Sequence, residues 1–178
     1  MVGPEISGSK VSLRPLQPDD LTRRIAWLND AECVRLFTGF PQERVYGQDD
    51  AERWRRSLES DACASVWAIE TKDGMHIGDV DLHDINRDQL TAKVTILIGD
   101  KAYWDRGFGT DTMKSVLASA FYDLKLERVV LKVYEFNSRA IRCYEKCGFM
   151  KRSDTGAQGA FPGEIHMVAD RDRFMAME

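Results

Sequence analysis

The chain has 178 residues, 43% hydrophobic and 30% charged, with a formal net charge of −4. That length buries a sizeable core in a single domain spanning 1–178 without disulfides or metals, and the acidic balance argues against a general nucleic-acid binder, whose footprint would be basic. The four cysteines, at 33, 63, 143 and 147, form no Cys-x-x-Cys pair, and with only three histidines they mark neither a zinc site nor a disulfide framework. No apolar run approaches the roughly 20 residues needed to span a bilayer, so no membrane association is expected. The N-terminus lacks a charged-then-apolar signal, which predicts a cytoplasmic protein.

In chain order the pattern predicts a strand over 10–15, a helix over 18–30, an irregular segment with Gly39, Pro41 and Gly47, and a helix over 48–59 whose Arg53, Arg55 and Arg56 read as a solvated face. Strands follow over 64–70, 75–85 and 90–99. The middle one alternates, Ile77-Gly78-Asp79-Val80-Asp81-Leu82-His83-Asp84, with one apolar face and one polar face.

The segment from Ile96 to Thr110 then joins an apolar strand through Gly107-Phe108-Gly109 to a helix. Glycines let backbone N–H groups approach a ligand closely, and a helix start favours an anion. An ordinary strand-to-helix turn shares this local pattern. The helix reads from Gly109 to Leu124, with Met113, Val116, Leu117, Ala120, Phe121 and Leu124 in one apolar stripe. Arg128 to Tyr134 is β-branched and largely apolar, which suits a strand covered on both faces. There is no Gly-x-x-x-x-Gly-Lys-Ser/Thr and no third glycine after Gly109, which argues against P-loop and dinucleotide-binding folds.

A second short helix follows, capped by Asn137 and closed by Gly148. Asn137 and Tyr144 are two helical turns apart and point to the same side; a cap and a packed tyrosine are the plain alternatives. A strand near 149–153, a loop from Thr155 to Gly163 and a strand over 164–170 complete an α/β fold. Its mixed, mostly antiparallel sheet carries helices on both faces.

Two blocks, Ile96 to Thr110 and Tyr134-Glu135-Phe136-Asn137 through Tyr144-Glu145-Lys146-Cys147-Gly148-Phe149, lie in order about thirty residues apart. With them the chain resembles the GNAT superfamily of acetyl-CoA-dependent N-acetyltransferases, in particular the branch of ribosomal-protein N-terminal and spermidine acetyltransferases. Weaker resemblance begins at Val11-Ser12-Leu13-Arg14-Pro15-Leu16 and includes Trp27-Leu28-Asn29-Asp30.

The resemblance implies direct transfer of acetyl from acetyl-CoA to an amine, either a protein N-terminus or a small molecule, with no covalent enzyme intermediate and no metal. It also implies a GNAT-like fold and allows a homodimer. The diphosphate would rest on Trp104, Asp105, Arg106, Gly107, Phe108, Gly109 and Thr110, with Arg106 its cationic partner or else solvent-facing. The pantetheine would lie along Leu97 and Ile98 and be bonded by Asn137. Tyr144 would protonate the departing thiolate, a chemically reasonable role for a positioned donor beside a thiol of pKa near 8.5.

The family's frequent general base, a glutamate in an Ala-Glu pair, is replaced here by Lys93 after Ala92. Asp81, His83 and Asp84 are the remaining candidates, and His83 has the most suitable pKa, near 6.5. Without the glutamate, amines of low pKa are expected to be favoured over polyamines. A polyamine or aminoglycoside acetyltransferase, and a non-catalytic acyl-CoA-binding module, are the alternative functions. The acidic surface favours cationic acceptors.

Overall fold

The computed structural model describes residues 4–152 and 162–177. Eight strands form one sheet in the order β1-β2-β3-β4-β5-β6-β8-β7: β1 (Ile6–Ser7), β2 (Val11–Arg14), β3 (Ser65–Thr71), β4 (His76–Asn86), β5 (Thr91–Ile98), β6 (Arg128–Tyr134), β7 (Met150–Lys151) and β8 (Glu164–Asp170). Every neighbouring pair is antiparallel except β5 with β6. The expected strands stand within a residue or two of their predicted ends. The loop from Thr155 to Gly163 lies largely outside the described residues.

The helix expected over 18–30 is shorter, and a second helix follows where an irregular segment was expected. α1 (Asp20–Leu28) ends at Asn29, and α2 (Ala31–Thr38) starts at once. The Asp30 carboxylate accepts from the N–H groups of Glu32 and Cys33 at 3.1 and 3.0 Å, and Gly39 closes α2 at φ 82°. An Asp cap and a Gly stop in eight residues bracket a helix too short for its periodicity to show. α3 (Gln48–Ser60) agrees with expectation, with Asp50 accepting from the Gly47 N–H at 3.0 Å.

α4 (Phe108–Ala118) continues into a π-helical turn over Ser119–Asp123. Its stripe is the centre of the core: Met113, Val116, Leu117 and Ala120 are fully buried against Val80, Leu82 and Val94. Burial of each large apolar side chain contributes roughly 1.5–3 kcal/mol. α5 (Ser138–Glu145) packs beside α4, and the short α6 (Arg171–Met175), which the sequence reading lacked, seats Phe174 on Phe121. The first three helices cover the other face.

β6 is not covered on both faces as expected. Val129, Leu131 and Val133 are buried, whereas Val130, Lys132 and Tyr134 alternate with them and line an open cleft. The reason lies in the pairing. β5 and β6 are joined only from Thr91–Arg128 to Lys93–Val130, and beyond Lys93 the two parallel strands separate.

Gly78 fixes the β4–β5 contact. A Cβ there would stand 2.0 Å from the Leu97 carbonyl oxygen, which is backbone and cannot swing aside. Gly78→Ala is therefore expected to destabilise the fold by about 1–3 kcal/mol, as overpacking does, read as a lower urea midpoint. An unchanged midpoint would show that the strands adjust freely.

Candidate active site

The separated ends of β5 and β6 open a cleft of about 920 Å³. Among the described residues, the β6-facing edge of β5 has no strand partner after Lys93. Its backbone groups are left for a ligand to pair with. Leu97 and Ile98 line this edge. The Ile98 carbonyl also accepts from the Trp104 indole at 2.6 Å, and the Arg139 guanidinium stacks over Trp104 at 3.6 Å. Trp104 is thus a brace across the strand end.

Gly107 has φ 85° and Asp105 φ 57°, so the turn into α4 requires two left-handed residues. Glycine takes that conformation without strain, and aspartate tolerates it better than most. The first N–H groups of α4 lack carbonyl partners ahead of them, and Gly107, Gly109 and Thr110 line the cleft. Asp111, the acid of that first turn, faces away: its carboxylate accepts from Ser9 Oγ and from the backbone N–H groups of Ser9, Lys10 and Val11 at 2.6–3.1 Å. It ties the β1–β2 hairpin to the helix and turns its own charge away from the cleft.

Tyr103, Trp104, Asp105, Gly107, Gly109 and Thr110 line the cleft, but Arg106 and Phe108 do not. The Arg106 guanidinium turns back to the Ala102 carbonyl at 3.1 Å, and Phe108 packs edge-on against Tyr103. The cations that line the cleft are Lys93, Lys132, Arg139, Arg142 and Lys146, and the last three are presented by or just beyond α5. Their mutual spacing of three and four residues puts them on one side of the helix, which the sequence shows.

Asn137 is 9% exposed. It caps α5 by accepting from the Ala140 N–H at 3.2 Å and donates one amide hydrogen to the Leu36 carbonyl at 3.2 Å, which leaves the other amide hydrogen for a ligand. Tyr144 lines the cleft and is also largely buried, its ring against Phe149. Burial pushes its phenol well above the ordinary tyrosine range, so it stays protonated at any working pH.

On the opposite face, His83 lies where the large cleft meets a second groove of about 440 Å³; Phe37, His83, Thr95 and Leu97 line both. Asp79, Asp81 and Asp84 line the groove. Asp79 is paired with the buried Arg24. Asp81 lies 2.7 Å from His83 Nδ1, and this hydrogen bond, against the opposing effect of burial, raises the imidazole above its ordinary value. Lys93 is held by Asp84 at 2.7 Å. Of the three candidate bases, His83 reaches both openings while Asp81 orients it and Asp84 is engaged with lysine. Among the described residues no cluster of three or more His, Cys, Asp or Glu could hold a metal ion, and no helix is long and apolar enough to cross a membrane.

The acetyltransferase (GNAT) domain family matches residues 10–150. The chain belongs to the GNAT family. It is an acetyl-CoA-dependent N-acetyltransferase. Among curated relatives of this acetyltransferase, it is 28% identical over 175 residues to an uncharacterized N-acetyltransferase derived from the SPbeta prophage of Bacillus subtilis, covering 94% of each chain. It is 29% identical over 174 residues to a spermidine N(1)-acetyltransferase of Escherichia coli, covering 96% of this chain and 91% of that one. In fold, the acetyltransferase is similar to the Vibrio cholerae spermidine N-acetyltransferase solved with CoA and spermine, with TM-score 0.79, 23% identity, and 94% and 99% of the two chains covered.

Proposed function

We propose that the enzyme acetylates a small-molecule amine that enters by the acidic groove and meets the thioester at His83. The observation that carries this reading is the junction itself. One opening runs from the Gly107 turn to the strand separation, the other is lined by carboxylates, and His83 belongs to both. The spermidine acetyltransferases among its relatives agree with a cationic acceptor.

In this reading the N–H groups from Gly107 to Thr110 hold the diphosphate of acetyl-CoA, with Arg139, Arg142 and Lys146 as cationic neighbours. The free edge at Leu97 and Ile98 pairs with the pantetheine amides, assisted by the remaining Asn137 hydrogen. A backbone N–H on that edge polarises the thioester carbonyl and stabilises the oxyanion of the tetrahedral adduct. His83, oriented by Asp81, takes a proton from the amine as its lone pair attacks. Tyr144 gives its proton to the departing thiolate. Acetyl passes directly between the two substrates.

Release of CoA thiol from acetyl-CoA, measured with spermidine, an amino sugar and short peptides with free N-termini, tests the reading. It also decides between polyamines and the lower-pKa amines that Lys93 favours. An α-amine of pKa near 7.7–8.0 needs at most about 1.4 kcal/mol to become neutral at pH 7, against roughly 4.6 kcal/mol for an amine of pKa near 10.4. No thiol release with any amine would overturn it.

A pH dependence follows. A base works only when neutral, and Asp81 raises the His83 pKa, so kcat falls on the acid side through a pKa above the usual histidine value near 6.5. Asp81→Asn removes the raising bond, so the acid limb is expected to move to lower pH while the plateau drops. An unmoved limb would show that His83 does not set it.

A further inference from the structure

The acceptor face carries a second imidazole–carboxylate pair that the reaction above leaves unused. Directly paired residues of neighbouring strands share a face. The pairings His83–Lys93, Lys93–Val130 and Lys132–His166 therefore place both histidines and both lysines on one surface, with His83 on β4 and His166 on β8. The separated strands β5 and β6 run between them, and both rings line the same cleft.

Their settings match. His83 Nδ1 lies 2.7 Å from Asp81, and His166 Nε2 lies 2.9 Å from Glu164. A carboxylate only accepts, so in each neutral ring the nitrogen beside it carries the hydrogen and the other keeps its lone pair. Both side chains are partly open, 30% and 28% exposed, while Glu164 is only 2% exposed and is held by Lys132 at 3.3 Å as well. His166 is thus anchored from beneath and accessible from the cleft.

Proton accounting gives the second ring a task. An acceptor bound as R–NH3⁺ breaks two N–H bonds per turnover, one before the lone pair can attack and one after the C–N bond has formed. The C–S bond breaks, and the thiolate takes the Tyr144 proton. A single imidazole stores only one of the two amine protons. We infer that His166, oriented by Glu164, is a second proton acceptor across the cleft from His83, reached through water, so that both protons have a place inside the cleft. One is then passed to the Tyr144 phenolate and the other leaves to solvent. The inference rests on the acetyl-transfer reading with His83 as base, and it fits acceptors that bind as primary ammonium ions.

Among the described residues the groups that face these rings are few. Around His166 they are Glu164 on its own strand, Lys132 and Tyr134 on β6, and Arg152 after β7, whose backbone N–H donates to the His166 carbonyl. Around His83 they are Asp81 and Asp84 on its own strand and Lys93 on β5.

The test is the pH profile of kcat at saturating acetyl-CoA and spermidine, or whichever ammonium acceptor of the panel turns over best. Two imidazoles that must both be neutral make log kcat fall on the acid side with a slope approaching two. His166→Gln is expected to leave a slope of one, with a plateau about 10²-fold lower and CoA affinity unchanged. A wild-type slope of one, which needs no variant, or a slope of two that survives His166→Gln, overturns the inference. Absence of any thiol release by the wild type overturns the acetyl-transfer reading instead.

Discussion

Replacing Tyr144 by phenylalanine is expected to lower kcat by about 10²–10⁴-fold, the usual worth of a general acid, while CoA affinity stays within a few-fold. The phenyl ring keeps the contact with Phe149 and the burial of α5, so the fold and the cleft survive. Only the proton is lost, and it acts on the leaving sulfur in the transition state rather than on bound substrate. Burial suits the role because a phenol held above its ordinary pKa is always protonated when the thiolate departs. Thiol release gives kcat, and calorimetric titration gives the affinity. Full turnover by the variant would make Tyr144 a packing residue.

Gly109→Val is expected to weaken CoA binding by about 100-fold, or roughly 2.7 kcal/mol, in a protein that still folds. The cause is obstruction of the phosphate site and not backbone strain. Gly109 lies inside α4, and the left-handed residue of the turn is Gly107. A Cβ at 109 would meet Cys143 Sγ at 3.6 Å and Ile98 Cγ1 at 3.8 Å, which is ordinary contact. Gly109→Ala should therefore be mild. The further methyl groups of valine reach into the cleft over the helix start and displace phosphate from N–H donors, bonds worth about 1.5–3 kcal/mol each when the partner is charged. A folded Gly109→Val protein that binds CoA normally would remove this turn from the site.

What could be read from the sequence was what is local and periodic. The stripe from Met113 to Phe121, the alternation through Asp79, Asp81 and His83, and the Asn137 and Gly148 helix ends each repeat at a spacing that one element sets, and each stands where expected. α2 was missed because its eight residues hold barely two turns, although Asp30 and Gly39 marked its ends. The exposed face of β6 was missed because its composition is that of a buried strand, and only the early end of its pairing with β5 opens it to the cleft. His166 and Glu164 were invisible for a related reason. Their place beside the site comes from the pairing of β8 with β6, a contact some thirty residues apart in sequence that no local pattern records. Of the two readings of Arg106, phosphate partner or solvent-facing side chain, the structure has the second: it is exposed and its guanidinium donates to the Ala102 carbonyl, a turn of the side chain that no sequence pattern records.

Direct transfer of acetyl in the cleft between β5 and β6 leaves no acetyl on the enzyme. Its most direct measurement is thiol release from acetyl-CoA before and after addition of an amine, with the acetylated amine quantified by mass spectrometry. No thiol and no acetylated protein are expected until the amine is added, then one acetylated amine for each thiol released. Tight CoA binding with no thiol release for any amine, as a non-catalytic acyl-CoA-binding module would give, or thiol release that leaves acetyl on the protein, would contradict it.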